Sequence, residues 1–170
     1  QEYLEKPVGT SEEAAAKTTP ATSVSGRLML FRAMGKNAFG TIQDHSGRIQ
    51  VMFNRDATKV TGYTGTEELS PFKFIEKKID LGDILGVKGH LFRTQKGELT
   101  LFAEEVTLLC KTLLPLPDKH SGLADKETRY RKRWLDLICN QDVQNTFLLR
   151  SKIVQLVREY LHGHEFIEVE

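Results

Sequence analysis

Between Gly26 and Asn54 the sequence GRLMLFRAMGKNAFGTIQDHSGRIQVMFN carries three runs of alternating apolar and polar residues, separated by short glycine-containing turns. Such alternation predicts strands with one buried face, and the short spacers predict a curled antiparallel meander. In the second run Ala38, Gly40 and Ile42 share one parity, whereas Phe39, Thr41 and Gln43 share the other. A strand here sets a large aromatic ring among polar neighbours. In the third run Ile49, Val51 and Phe53 form the core face and Gln50, Met52 and Asn54 the opposite one. Phe39 and Gln50 are therefore expected on an open face edged by Arg32, Lys36 and Arg48. That face would offer a ring to stack on, an amide to read a base edge and cations for phosphates. The competing readings are a core position for Phe39 and a merely solvated Gln50. Arg32 shares parity with Leu28 and Leu30, so it reaches the open face only if the first strand contains a bulge or coil near Phe31.

From Val24 to Lys111 the pattern is three strands, an interruption and two more strands. The interruption, Ala57 to Ile79, holds the glycine-rich GYTGTEELSP and then FKFIEKKI, whose Phe72, Ile75 and Ile79 recur at helical spacing. Ile84 to Arg93 and Glu98 to Cys110 form the last two strands around the turn Gln95-Lys96-Gly97. Five strands with a helix between the third and fourth describe an OB-fold barrel, which commonly binds oligonucleotides on its strand 2–3 face. An SH3-like barrel is the alternative, and the position of the helix favours the OB arrangement. The fold class is thus mostly β with appended helices.

Ahead of the barrel, residues 1–23 form a polar segment. There Thr10-Ser11-Glu12-Glu13 can cap a short helix through Ala16 that Thr19-Pro20 would end. Because the chain opens at Gln1, this stretch reads as part of a truncated chain. Residues 112–125 read as a linker stiffened by Pro115 and Pro117, with Asp118 to Gly122 polar. Lys126 to Ile138 is expected to be one basic helix with Tyr130, Trp134, Leu137 and Ile138 in an apolar stripe. Asn140 or Asp142 then caps a longer helix from Val143 to about Leu161. The ending Phe166-Ile167-Glu168-Val169-Glu170 alternates like a strand. A helix pair leading into one interrupted strand cannot bury a core alone, so residues 126–170 are expected to open a second domain.

An ordinary apolar fraction of 39% and a formal net charge of +1 predict a globular chain, neither disordered nor marked throughout as a nucleic-acid binder. Local charge is more informative: between Gly26 and Arg55 the cations are Arg27, Arg32, Lys36, Arg48 and Arg55, and Asp44 is the only acid. No apolar run approaches a membrane span and no signal-peptide pattern opens the chain. With Cys110 and Cys139 far apart, reduced thiols and a cytoplasmic address are expected. His162-Gly163-His164 lacks cysteine or carboxylate partners at ligand spacing, so no metal site is expected. The run Arg129, Arg131, Lys132, Arg133 fits a solvated helix face or an interdomain contact, and no Walker-type or GxGxxG loop is present.

The junction LPLPDKHSGLADKETRYRKRWLDLI, followed by FLLRSKIVQLVREYL and FIEVE, resembles the junction and motif 1 region of the bacterial lysyl-tRNA synthetases, a family of class II aminoacyl-tRNA synthetases. GRLMLFRAMGKNAFGTIQDHSGRIQ is similar to the anticodon-binding OB domain of the same family. The junction is less similar to the aspartyl and asparaginyl relatives. The resemblance implies that residues 24–111 are the anticodon-binding domain and that residues 126–170 begin the class II catalytic domain. It places the middle anticodon uridine against Phe39, with Gln50 reading its edge, Arg32 beside it and Glu98 as a further contact. It implies tRNA(Lys) as partner and a homodimer whose second subunit meets Phe147, Val154, Val157 and Leu161. It also implies lysine, ATP and Mg²⁺ as the ligands of a parent enzyme that forms lysyl-adenylate and transfers lysine to the tRNA. Motifs 2 and 3, which hold those ligands in the family, are absent from this sequence, so no catalytic residue is expected here and the chain alone is expected to be inactive. The family's motif 1 commonly carries a glycine where this chain has Glu165. The rival class is a non-catalytic OB module for single-stranded nucleic acid, which has no use for a motif 1 start.

Overall fold

A computed structural model of the protein describes residues 19–117, 123 and 125–169. The helix expected within Thr10–Ala16 and the polar stretch Asp118–Gly122 lie outside the described residues. The described residues fall into two compact units that divide between Pro115 and Leu116.

The first unit is a closed barrel. Strands β1 (Ala21–Met34), β2 (Asn37–Gln43) and β3 (Arg48–Asn54) form the expected meander, and β5 (Ile84–Arg93) and β6 (Leu99–Cys110) form a second antiparallel pair. The first strand begins at Ala21, ahead of the expected Val24, because its first half pairs with β5 from Ala21 opposite His90 onward. Its second half pairs with β2. One long strand thus belongs to both halves of the sheet. The ring closes where β3 runs parallel to β6, with Gln50 opposite Thr100 and Phe53 opposite Ala103. This is the OB-type barrel that the strand count predicted. The two-residue β4 (Lys59–Val60), also paired parallel to β6, is an addition inside the expected interruption.

Ser70 caps helix α1 (Pro71–Lys78) by accepting from the Lys73 N–H, and Pro71 occupies the first turn, where a missing N–H costs nothing. Phe72 and Ile75, fully buried, and Ile79 join Leu28, Val51, Phe53, Leu85 and Leu101 in the barrel core. Burying each such side chain contributes about 1.5–3 kcal/mol. Gly89 sits where β5 and β6 touch most closely: a Cβ there would lie 1.8 Å from the Phe102 carbonyl oxygen. Opposite it β6 bulges, stepping from Glu105 to Ala103 between consecutive β5 residues.

At the junction before β5, the fully buried Asp83 accepts from the N–H groups of Asp80 and Thr112, and its carboxylate is paired with the Lys111 ammonium. Burial alone would raise its pKa, but these donors outweigh it and hold the carboxyl below its ordinary value.

In the second unit the single helix expected over Lys126–Ile138 is two. Helix α2 (Lys126–Arg131), capped by Asp125, ends at Lys132, and α3 (Arg133–Cys139) starts there. Lys132 has left helical geometry (φ −118°, ψ 55°), and the nearly buried Asp136 receives the guanidinium groups of both Arg129 and Arg133. Tyr130 and Trp134, on either side of that break, are exposed. Asn140, not Asp142, caps helix α4 (Gln141–Gly163), accepting from the N–H groups of Asp142 and Val143.

Helix α4 closes in a Schellman arrangement, the Phe166 N–H reaching the Leu161 carbonyl and the Glu165 N–H reaching that of His162. Glu165 takes φ 65°, the only positive φ of a non-glycine among the described residues. This is the position at which the resembled motif carries glycine, the residue that the left-handed conformation favours. The strand expected from Phe166 does not form over 166–169, since extended backbone becomes a strand only by pairing and no strand among the described residues pairs with it. No helix among the described residues is long and apolar enough to cross a membrane.

Candidate nucleic-acid interface

The face of the barrel opposite its core carries an open groove of about 820 Å³, formed by β1, β2, β3 and the β5–β6 turn. Its position follows from strand parity and one irregularity. Along β2, Ala38, Gly40 and Ile42 are buried, which leaves Phe39 and Thr41 on the other face. In β1 the pairing register slips between Leu28 and Leu30, making Met29 a bulge residue. Before the bulge Leu28 points into the core; after it Phe31 packs against the core, its ring centroid 5.9 Å from that of Phe53. Leu30 and Arg32 consequently line the groove. The bulge that Arg32 required is therefore present, two residues before Phe31.

The groove brings together Arg32, Phe39, Gln50 and Glu98, residues that span 67 positions of sequence. Arg32 is directly opposite Phe39 across the β1–β2 ladder. The Phe39 ring is half-buried and packs on a small second cluster made by Met52 and Phe102, so one part of it is held while the rest faces the groove. Gln50 lies on β3, where its Oε1 accepts from the buried Thr100 hydroxyl at 2.8 Å. Glu98 ends the β5–β6 turn. Thr94 holds that turn by donating its N–H to the Glu98 carbonyl and accepting the Gly97 N–H, and Gly97 supplies the positive φ of 82°. Lys96, on the same turn, adds a second cation to the lining.

Lys36 is exposed at the tip of the β1–β2 turn, beside Asn37 of the groove lining. Arg48 is not brought to the groove: its Nε donates to Gln43 Oε1 at 2.8 Å, and it lines a separate hollow with Asp44, Ser46 and Gly47. In that β2–β3 turn the Ser46 hydroxyl and the N–H groups of Ser46 and Gly47 converge on Asp44, whose carboxyl is held below its ordinary pKa, with the Ser46 hydroxyl the leading cause.

The sequence reading missed the groove-lining Phe92 and the buried Thr100 that bonds Gln50. Phe92 lines the groove and sits edge-on to Phe102, with centroids 6.4 Å apart. It shares parity with Lys88 and His90 in β5, the same aromatic-among-polar signal that singles out Phe39. Thr100 carries no such signal, since its importance arises only from the parallel pairing with β3.

In the second unit Phe147, Val154, Val157 and Leu161 lie along α4 and are between 38% and 51% exposed, and Ile153, Leu156 and Tyr160 on the same helix are exposed as well. At its N-terminal end the Arg133 guanidinium lies over both the Tyr130 and Phe147 rings, 5.0 and 5.4 Å from their centroids.

Residues 22–109 match the family model for the OB-fold nucleic acid binding domain of the tRNA anticodon type. Residues 125–170 match the model for class II tRNA synthetases (D, K and N). Among curated relatives, a lysine–tRNA ligase of Chlamydia felis is 59% identical over 169 residues, covering 99% of this chain and 32% of the relative. One of Chlamydia caviae is 58% identical over 170 residues, covering 100% and 32%. One of Thiobacillus denitrificans is 50% identical over 160 residues, covering 94% and 30%. The chain spans about a third of the length of these curated relatives.

Proposed function

Since the chain belongs to the OB-fold nucleic acid binding family of the tRNA anticodon type, with the start of a class II synthetase domain behind it, we propose that it is the anticodon-reading part of a lysine–tRNA ligase. The observation that carries this reading is the gathering of Arg32, Phe39, Gln50 and Glu98 in one groove on the strand 2–3 face. Phe39 offers a stacking surface, Gln50 an amide toward a base edge, and Arg32 and Lys36 charge for the backbone. Glu98, at the groove rim, is suited to accept from a base donor rather than to meet a phosphate. The partner is the anticodon stem–loop of tRNA(Lys) with uridine in the middle position.

In this reading the whole ligase works in the cytoplasm, activates lysine with ATP and Mg²⁺ and transfers it to the tRNA. The described residues contain no cluster of His, Cys, Asp or Glu that could hold a metal ion, and no step of that chemistry is assigned to them. The α4 face at Phe147, Val154, Val157 and Leu161 is the surface toward a second subunit, which fits its uncovered apolar side chains. A free-standing single-strand binder is the weaker reading, because residues 125–170 match the synthetase domain and have no part in such a module.

The test is binding of an anticodon stem–loop by the purified chain. A stem–loop with a central uridine is expected to bind more tightly than one with a central cytidine, and equal affinity for the two refutes the reading.

A further inference from the structure

We propose that Thr100 is a positioning residue that fixes which end of the Gln50 amide faces the groove, and so biases the groove toward a base presenting a carbonyl oxygen over one presenting an amino group. The proposal rests on the reading of the groove as an anticodon site and adds to it the origin of its base preference. An amide offers an acceptor at one end and two donors at the other, so its orientation decides which base edge it can pair with. Hydrogen-bond partners settle that orientation.

Thr100 is fully buried and lies directly opposite Gln50 in the parallel β3–β6 pair. Its hydroxyl is 2.8 Å from Gln50 Oε1, the usual length of an O–H···O bond, and 3.3 Å from the Glu98 carbonyl, beyond the normal range. The single Thr100 proton therefore has a well-made bond only when Oε1 is its acceptor. Turned over, the amide would donate from Nε2 to the Thr100 oxygen, and the buried hydroxyl's own proton would be left with nothing but the long contact to the Glu98 carbonyl. With Oε1 held, Nε2 has no hydrogen-bond partner among the described residues and is the end available to a ligand. Uracil presents carbonyl oxygens to such a donor, whereas cytosine presents an N4 amino group at the equivalent position.

The experiment measures the affinity of the chain for stem–loops carrying uridine or cytidine in the middle position. Thr100→Val keeps the shape and removes the hydroxyl, Thr100→Ser restores it, and Gln50→Glu keeps an acceptor for Thr100 while replacing the outward donor by an acceptor. The uridine-to-cytidine ratio is expected to fall about five- to tenfold in Thr100→Val, the worth of one hydrogen bond, and to return in Thr100→Ser. In Gln50→Glu the preference is expected to shift toward cytidine. A wild-type ratio retained by a folded Thr100→Val overturns the proposal and leaves the anticodon reading intact. Should the valine variant not fold, a Gln50→Glu chain that still prefers uridine overturns it equally. A wild-type chain indifferent to the two bases overturns the groove reading, and this proposal with it.

Discussion

Replacing Phe39 tests the groove most directly, because the ring has two separable roles. It is half-buried against Met52 and Phe102, and its remaining surface faces the space where a base would lie. Losing one base–aromatic stack costs about 1–3 kcal/mol, which is roughly a 5- to 150-fold rise in Kd for Phe39→Ala. The same change removes packing. A fully buried Phe→Ala costs about 3–5 kcal/mol, so a ring held on one side only is expected to cost about 2 kcal/mol of stability. Phe39→Leu separates the two, since it keeps apolar contact with Met52 and Phe102 but has no π-face. Fluorescence anisotropy with a labelled anticodon stem–loop reads the binding, and urea unfolding of the same samples reads the stability. The leucine variant is expected to lose most of the affinity that alanine loses, at less than about half its stability cost. Loss of uridine preference is expected to be modest in both, because every base has a π-face. If folded Phe39→Leu and Phe39→Ala both bind within twofold of wild type, no base stacks on this ring and the groove is not the reading surface.

Charge and stability give further checks. Lys36→Ala is expected to weaken all stem–loops alike and to lower the slope of log Kd against log salt by roughly one phosphate contact, while Arg48→Ala, already bonded to Gln43 outside the groove, changes it less; the reverse order would contradict the placement of these two cations. Asp83, whose pKa is lowered in the folded state, contributes stability that is present above its ordinary value of 3.8 and is lost as pH falls through the lower folded value. Asp83→Asn is accordingly expected to cost about 2–3 kcal/mol at pH 7, reduced from the fully buried case because Lys111 keeps some solvent contact, and to flatten the acid limb of the stability curve below pH 3.8; an unaltered acid limb would show that Asp83 is not the group involved. Glu165→Gly relieves the left-handed strain at the end of α4 and is expected to stabilise the chain by about 1 kcal/mol in thermal or urea unfolding, with a loss of stability counting against the Schellman geometry.

Much of the site was legible in sequence because strand parity is a local property. The alternation of β2 and β3 alone set Phe39 and Gln50 on the face opposite Ile42, Val51 and Phe53, and the structure keeps that division. The helical spacing of Phe72, Ile75 and Ile79 was likewise local and placed α1. What the sequence could not decide depends on residues far apart in the chain. The bulge at Met29, which turns Arg32 outward, was required by parity, but its place is set by how β1 divides its pairing between β2 and β5. Thr100 meets Gln50 only because β6 closes the barrel parallel to β3, across 50 residues of intervening chain. The break at Lys132 accompanies the convergence of two arginines on Asp136, which outweighs the helical periodicity of Lys126–Ile138. The alternation from Phe166 likewise makes no strand over the described residues 166–169, because alternation chooses the faces of a strand and only a neighbouring strand satisfies its backbone.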